Sequence, residues 1–172
     1  MKLKLSLAVL LLSAGLSGCA TRPYGPQEYP LRDGLIPPLT LAGDVNVINA
    51  QDSTSETIVY SYAGTKLGSN YKAITQTMVD QTKKEINKNQ KNKFDGAVKS
   101  IDIKVTYLKS TYIAFYWKSE LRYTAILGGS VTLERTVNHS SGILIQDLNG
   151  CIAESVMNLL NEPEVIAYLA KK

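Results

Sequence analysis

The residue types that could carry chemistry are few in this sequence. His139 is the only histidine, so a hydrolase built on an imidazole base would have to use it. It lies in residues 138–142, which have the composition of a turn, where an exposed histidine is ordinary. Metal sites need several His, Cys or carboxylate ligands close together. The sequence therefore predicts no catalytic residue, no metal site and no cofactor.

The first 19 residues have the layout of an export signal. Two lysines near the start precede an apolar run over residues 5–12. This run is too short to span a bilayer, which needs roughly 20 apolar residues, so the pattern favours a cleaved signal peptide. The segment ends in an aliphatic residue, two small residues and a cysteine: Leu16, Ser17, Gly18 and Cys19.

This tetrapeptide resembles the bacterial lipobox. In lipoboxes the cysteine thiol receives diacylglycerol, cleavage occurs before the cysteine, and its freed amine takes a further acyl chain such as palmitate. The resemblance implies that Leu16, Ser17 and Gly18 are read by the signal peptidase and that Cys19 is lipidated. Two or three acyl chains hold a protein stably on a bilayer, whereas one holds it weakly. The alternative is an ordinary secretory signal with a chance cysteine.

Ala20 follows the cysteine, whereas lipoproteins kept in the inner membrane typically have aspartate there. The resemblance thus implies a protein anchored in the outer membrane of a Gram-negative cell and facing the periplasm. Cys151 then has no partner within the chain. Because it begins an apolar helical run, we expect a small buried hydrophobe more readily than a reactive thiol.

The charge of the chain limits the classes of partner that it could bind. The formal net charge is +4, and two of these charges, Lys2 and Lys4, belong to the leader. The densest basic stretch, residues 83–93, has the pattern of the solvated end of a helix and the turn after it. Nucleic-acid binding would need a basic stripe on one face, so we expect no nucleic-acid partner.

Three segments divide the chain. Residues 1–18 form the signal peptide. Residues 19–38 contain the lipidated cysteine and five of the six prolines; proline fixes φ and removes a backbone donor, so we expect a semi-rigid, extended tether. Residues 39–172 form a single periplasmic domain.

Alternation of apolar and polar residues predicts strands over residues 45–48, 57–62, 101–107 and 121–133, the last bent at Gly128 and Gly129, with a short strand at 143–145. Helices are expected over residues 70–89, capped by Ser69 or Asn70, from Asn149 to residue 160, and after an Asn161 cap. The predicted fold class is α+β, a small antiparallel sheet with helices packed on one face. The opposite face, with Asp102, Lys104, Glu120, Arg122 and Thr124, suits water or a partner.

Aromatic residues crowd residues 107–123, where the two central strands join. Tyrosine and tryptophan combine apolar area with a polar tip and are favoured at interfaces and membrane surfaces. They are equally common inside sheets, and packing of the sheet is the alternative. The candidates for partner binding are Tyr112, Phe115, Tyr116 and Trp117.

The layout resembles the YajG-like family of bacterial outer-membrane lipoproteins. The matching parts are the lipobox, a strand with a V-x-V core at residues 44–48, a helix at 71–86, a long hairpin at 101–133 and the C-terminal helical segment at 149–169. The resemblance implies location and fold more than activity. Wider analogies are periplasmic lipoproteins that activate peptidoglycan synthases and auxiliary lipoproteins of lipid-transporting ABC systems, although fold does not fix function.

These observations favour a non-enzymatic accessory or binding module of the cell envelope. It would be held by membrane lipid through acylated Cys19, with an envelope protein or peptidoglycan as partner. The alternatives are a structural subunit of a secretion or transport complex and, with less support, a cell-wall-acting enzyme.

Overall fold

The computed structural model describes residues 20–172; the expectations for the signal peptide and for Cys19 lie outside the described residues. In this range the strands are β1 (Thr21–Pro23), β2 (Leu39–Ala42), β3 (Val45–Asn49), β4 (Glu56–Tyr62), β5 (Thr65–Asn70), β6 (Gln90–Phe94), β7 (Lys99–Ile113), β8 (Tyr116–Leu127) and β9 (Val131–Ser141). The helices are α1 (Tyr71–Asn89), α2 (Leu144–Asn161) and α3 (Pro163–Ala170). None of these helices is long and apolar enough to cross a membrane.

The main sheet has the strand order β3-β7-β8-β9, and α1 and α2 pack on one of its faces. Inward side chains such as Ile101, Ile103 and Leu121 are fully buried under the helices. The predicted α+β class is confirmed. The sheet is mixed rather than antiparallel, because β3 pairs with β7 in parallel after the chain crosses over through α1.

In two strands an inserted residue changes which side chains face the core. The register of β7 against β8 shifts between Val105 and Tyr107, so Thr106 forms a β-bulge. The alternation over residues 101–107 places Tyr107 on the same face as Ile101 and Val105, but beyond the bulge it lies on the face opposite the helices. There its ring is 4.8 Å from the Arg122 guanidinium carbon. A similar shift beside Val59 places both Val59 and Tyr60 in the core, whereas Tyr62, near the end of the strand, is exposed.

Of the three predicted helix starts, one is confirmed and two are wrong. Asn70 caps α1 as predicted, since its side chain accepts a hydrogen bond from the Ala73 backbone N–H at 2.8 Å. The predicted strand at residues 143–145 is wrong, because α2 begins at Leu144 and Asn149 lies buried inside it. Asn161 does not cap α3; its side chain donates to the backbone carbonyls of Leu35 and Met157.

Residues 20–38, expected to stand off the domain as a tether, instead lie against it; we call this segment the strap. β1 pairs in parallel with β5, and the Tyr24 side chain is only 4% exposed. Prolines remove N–H donors, but the strap's carbonyls still accept hydrogen bonds. Polar side chains of α1 supply the donors: Thr77 to Pro26, Gln81 to Tyr29 and Lys88 to Leu31.

Candidate functional site

The four predicted binding residues lie together at the far end of the β7–β8 hairpin. Ile113 pairs with Tyr116 and Tyr112 with Trp117, so the turn consists of Ala114 and Phe115. Both turn residues have positive φ, 28° and 83°. Phe115 is 90% exposed, the most exposed large apolar side chain in the described chain.

The four residues divide into two pairs with different surroundings. Tyr112 and Trp117 are half-buried, and their rings lie 5.2 Å apart. The Tyr112 ring lies a further 5.2 Å from that of Tyr62, and its hydroxyl accepts a hydrogen bond from the Phe115 N–H. Phe115 and Tyr116 project into solvent. One pair therefore holds the turn in shape while the other is presented outward.

Other apolar side chains extend this exposed surface. Tyr62 is exposed beside Tyr112. Trp117 pairs with Ser141, two residues before the exposed Ile143. We call the surface formed by Tyr62, Ile113, Phe115, Tyr116 and Ile143 the apolar end. Contiguous exposed apolar surface of this kind marks a site of contact with a protein, a ligand or a membrane.

His139 lies in β9, not in the predicted turn, and is the half-buried member of a polar row whose other members are buried. Ser110 of β7 pairs with Ser119 of β8, and Ser119 pairs with His139, so the three side chains line up across the sheet. Asp147, in the first turn of α2 and 0% exposed, reaches this row. Ser110 Oγ donates to Asp147 Oδ2 at 2.7 Å, Ser119 Oγ donates to the same oxygen, and His139 Nδ1 lies 3.2 Å from Oδ1.

This row holds the histidine in place. Both serine hydroxyls donate to the carboxylate rather than to the imidazole, which is not the relation between a nucleophile and its base. The hydrogen bond to Asp147 raises the pKa of His139, partly opposed by burial. A Cβ on Gly150 would come within 2.5 Å of His139 Cε1, so a residue without a side chain is needed there. The arrangement fixes β9 against α2.

The sequence reasoning missed Asp147, Ser110 and Ser119. A signal for the aspartate was present, because Asp147, together with Gln146, interrupts an apolar run between Ile145 and Leu148. Ser110 could not be assigned to the buried face, because the bulge at Thr106 shifts the parity of β7 before it. Ser119 has the parity of the buried Leu121 and Tyr123, and that alternation was a signal for its burial.

Cys151 is completely buried, as expected for a small hydrophobe. Its thiol contacts the Val137 carbonyl oxygen at 3.7 Å. Burial is the main cause that raises the pKa of this thiol. A buried cysteine with a raised pKa is chemically inert.

Comparison with known proteins supports the fold. A solved structure of similar fold is protein XCC0632 from Xanthomonas campestris, which belongs to the family model DUF330. The TM-score is 0.54 at 14% sequence identity, and the match covers 86% of this chain and 95% of that one. No family model matches the sequence, and no curated protein matches it significantly. The chain is thus an α+β protein that shares its fold with this bacterial protein.

Proposed function

We propose that the protein is a lipid-anchored, periplasm-facing protein of the outer membrane that acts as a non-enzymatic accessory or binding module. Its anchor is acylated Cys19, after the signal sequence that ends in Leu16, Ser17 and Gly18. The apolar end is its contact surface. The resemblance to YajG-like lipoproteins and the fold shared with XCC0632 are consistent with this proposal.

The observation that carries the proposal is the exposure of Phe115 and Tyr116 on a turn that is held rigidly from below. Placing Phe115 at φ 83° is costly for a residue with a Cβ, and its ring gains no burial within the chain. An apolar side chain in this position adds stability only when another component covers it. The polar row at His139, in contrast, is satisfied internally.

Photo-crosslinking in cells tests this surface. A photo-crosslinking amino acid at position 115 should give a discrete product with an envelope component. The matched control is position 98, since Val98 is also exposed, at 63%, but lies beyond the opposite end of β7. A stoichiometric product with one protein would favour a structural subunit of a complex. Equal labelling at both positions, with the protein folded, would remove the apolar end as the contact surface.

A further inference from the structure

The geometry points to a lipid bilayer as the component that covers the apolar end: we propose that this end rests on the membrane in which acylated Cys19 is anchored. This inference depends on the anchoring proposed above. It follows from where the chain enters the domain, from the residue types at the apolar end and from the charges around it.

The described chain begins beside the apolar end. Thr21 pairs with Lys66, and Lys66 also pairs with Ser61, one residue before Tyr62. Since neighbouring strands lie about 4.8 Å apart, Thr21 is roughly 10 Å from Ser61. The Tyr62 ring in turn contacts Tyr112 of the hairpin. The β4–β5 turn, the β7–β8 turn and the start of β1 therefore lie side by side.

The connection to the anchor is short. Only Ala20 separates Cys19 from β1, which begins at Thr21. Two extended residues span at most about 7 Å, so the first strand starts within that distance of the acylated residue. A domain held this closely must place one end near the lipid surface, and the end next to Thr21 is the apolar one.

The side chains at the apolar end suit the boundary between lipid and water. Tyr62 and Tyr116 combine a ring with a hydroxyl, the combination favoured at membrane interfaces. Phe115 and Ile113 supply purely apolar area. Phe115 lies in the hairpin turn itself, so its side chain can enter the interface while the strands beside it stay paired.

Charge around the apolar end favours an anionic surface. Its four contributing segments, residues 20–27, 57–70, 103–119 and 135–146, contain no aspartate or glutamate. They contain six basic residues, Arg22, Lys66, Lys104, Lys109, Lys118 and Arg135. The side chains of Arg22, Lys109 and Lys118 are exposed, and Glu120, just outside these segments, pairs with Lys109. Basic residues beside a membrane attract anionic lipid headgroups. A bilayer with anionic lipids therefore matches this end in both polarity and charge.

Trp117 provides a built-in probe because it is the only tryptophan in the chain. The native acylated protein would be purified from membranes and reconstituted in vesicles of phosphatidylethanolamine and phosphatidylglycerol. Lipids brominated near the headgroup end of the acyl chain quench tryptophan at short range. We expect them to quench Trp117 strongly, since it lies two residues from Phe115 and its ring packs against that of Tyr112 at the same hairpin end.

Phe115→Asn is the sharpest variant, because asparagine tolerates positive φ and preserves the turn. It should reduce the equilibrium constant for membrane contact by roughly tenfold or more, because one phenylalanine side chain is no longer buried in lipid. The fraction of quenched tryptophan fluorescence measures this constant. Val98→Asn, at the opposite end of β7 and roughly 45 Å away, is the matched control and should leave quenching unchanged.

The outcomes separate the two proposals. Protein that remains with the vesicles while Trp117 escapes quenching overturns the membrane contact and leaves the anchor intact. Protein that does not remain with the vesicles overturns the anchoring itself. Absence of quenching in vesicles, combined with a protein crosslink at position 115 in cells, assigns the apolar end to a protein partner and also overturns the lipid proposal.

Discussion

Replacing Tyr24 with alanine should lower the free energy of unfolding by about 3–5 kcal/mol, the usual cost of truncating a buried aromatic residue. The Tyr24 ring lies in the main core although it belongs to the proline-rich strap. Its hydroxyl donates to Asn149 Oδ1 of α2 at 2.6 Å, a contact across 125 residues of sequence. Burial raises the pKa of this hydroxyl, so it remains protonated as the donor. The variant should therefore loosen the strap and the domain together.

Urea unfolding followed by circular dichroism would measure this effect. Tyr24→Phe should cost only about 1 kcal/mol, the net value of one hydrogen bond, since Asn149 Oδ1 still accepts from the Gln27 N–H. Tyr29→Ala is the matched control in the same strap, because that side chain is exposed, and it should change stability by less than about 0.5 kcal/mol. If Tyr24→Ala behaved like Tyr29→Ala, the strap would not be docked and the anchor would not be held beside the apolar end.

Replacing Asp147 with alanine should also cost about 3–5 kcal/mol, because it breaks a buried polar network by removing its common acceptor. Ser110 and Ser119 would keep buried hydroxyls without their acceptor, and His139 would lose the group that orients it. An unsatisfied buried donor costs more than the hydrogen bond itself contributes. Thermal or urea unfolding would measure the loss, with Asp95→Ala as an exposed control of near-zero effect.

A triple variant distinguishes a network from simple loss of volume. Adding Ser110→Ala and Ser119→Ala to Asp147→Ala removes the unpaired hydroxyls, so part of the lost stability should return. If the triple variant were instead less stable than Asp147→Ala by the full cost of both serine changes, the serines would contribute independently of Asp147 and the network would be contradicted.

The pH dependence of stability provides a further check on the same residues. The pKa of His139 is raised in the folded protein above its ordinary value of 6.5. Its pairing with Asp147 therefore contributes fully below pH 6.5 and is lost as the pH rises through the folded-state pKa. The wild-type protein should lose this contribution on going from pH 6 towards higher pH, and the Asp147→Ala variant should not show that decline.

Local patterns predicted the elements that depend on local chemistry. The alternation in β7 and the spacing of apolar residues in α1 both follow from periods that the chain carries in itself, and the Asn70 cap acts within three residues. The pairing of segments that are distant in sequence could not be predicted from local patterns. Nothing local indicates that residues 21–23 add a strand to β5, or that Asn149 faces Tyr24 rather than capping a helix.

At the candidate site, too, local patterns predicted some features and missed those that depend on distant segments. The aromatic content of residues 112–117 pointed to a contact surface, and the hairpin register explains which two residues are exposed and which two support them. The polar row could not be foreseen, because His139, Ser119 and Ser110 meet through strand register while Asp147 arrives from a helix. Residues 138–142, with His139 among Asn, Ser and Gly, have the composition of a turn. In the structure they continue β9 as far as Ser141, because β8 pairs with them.

The mass of the amino-terminal peptide of the native protein, purified from membranes, tests the account most directly. We expect a peptide that begins at Cys19 and carries a diacylglyceryl group on its sulfur. A peptide that still contains residues 1–18, with an unmodified thiol at Cys19, would contradict the anchor and, with it, the placement of the apolar end on lipid.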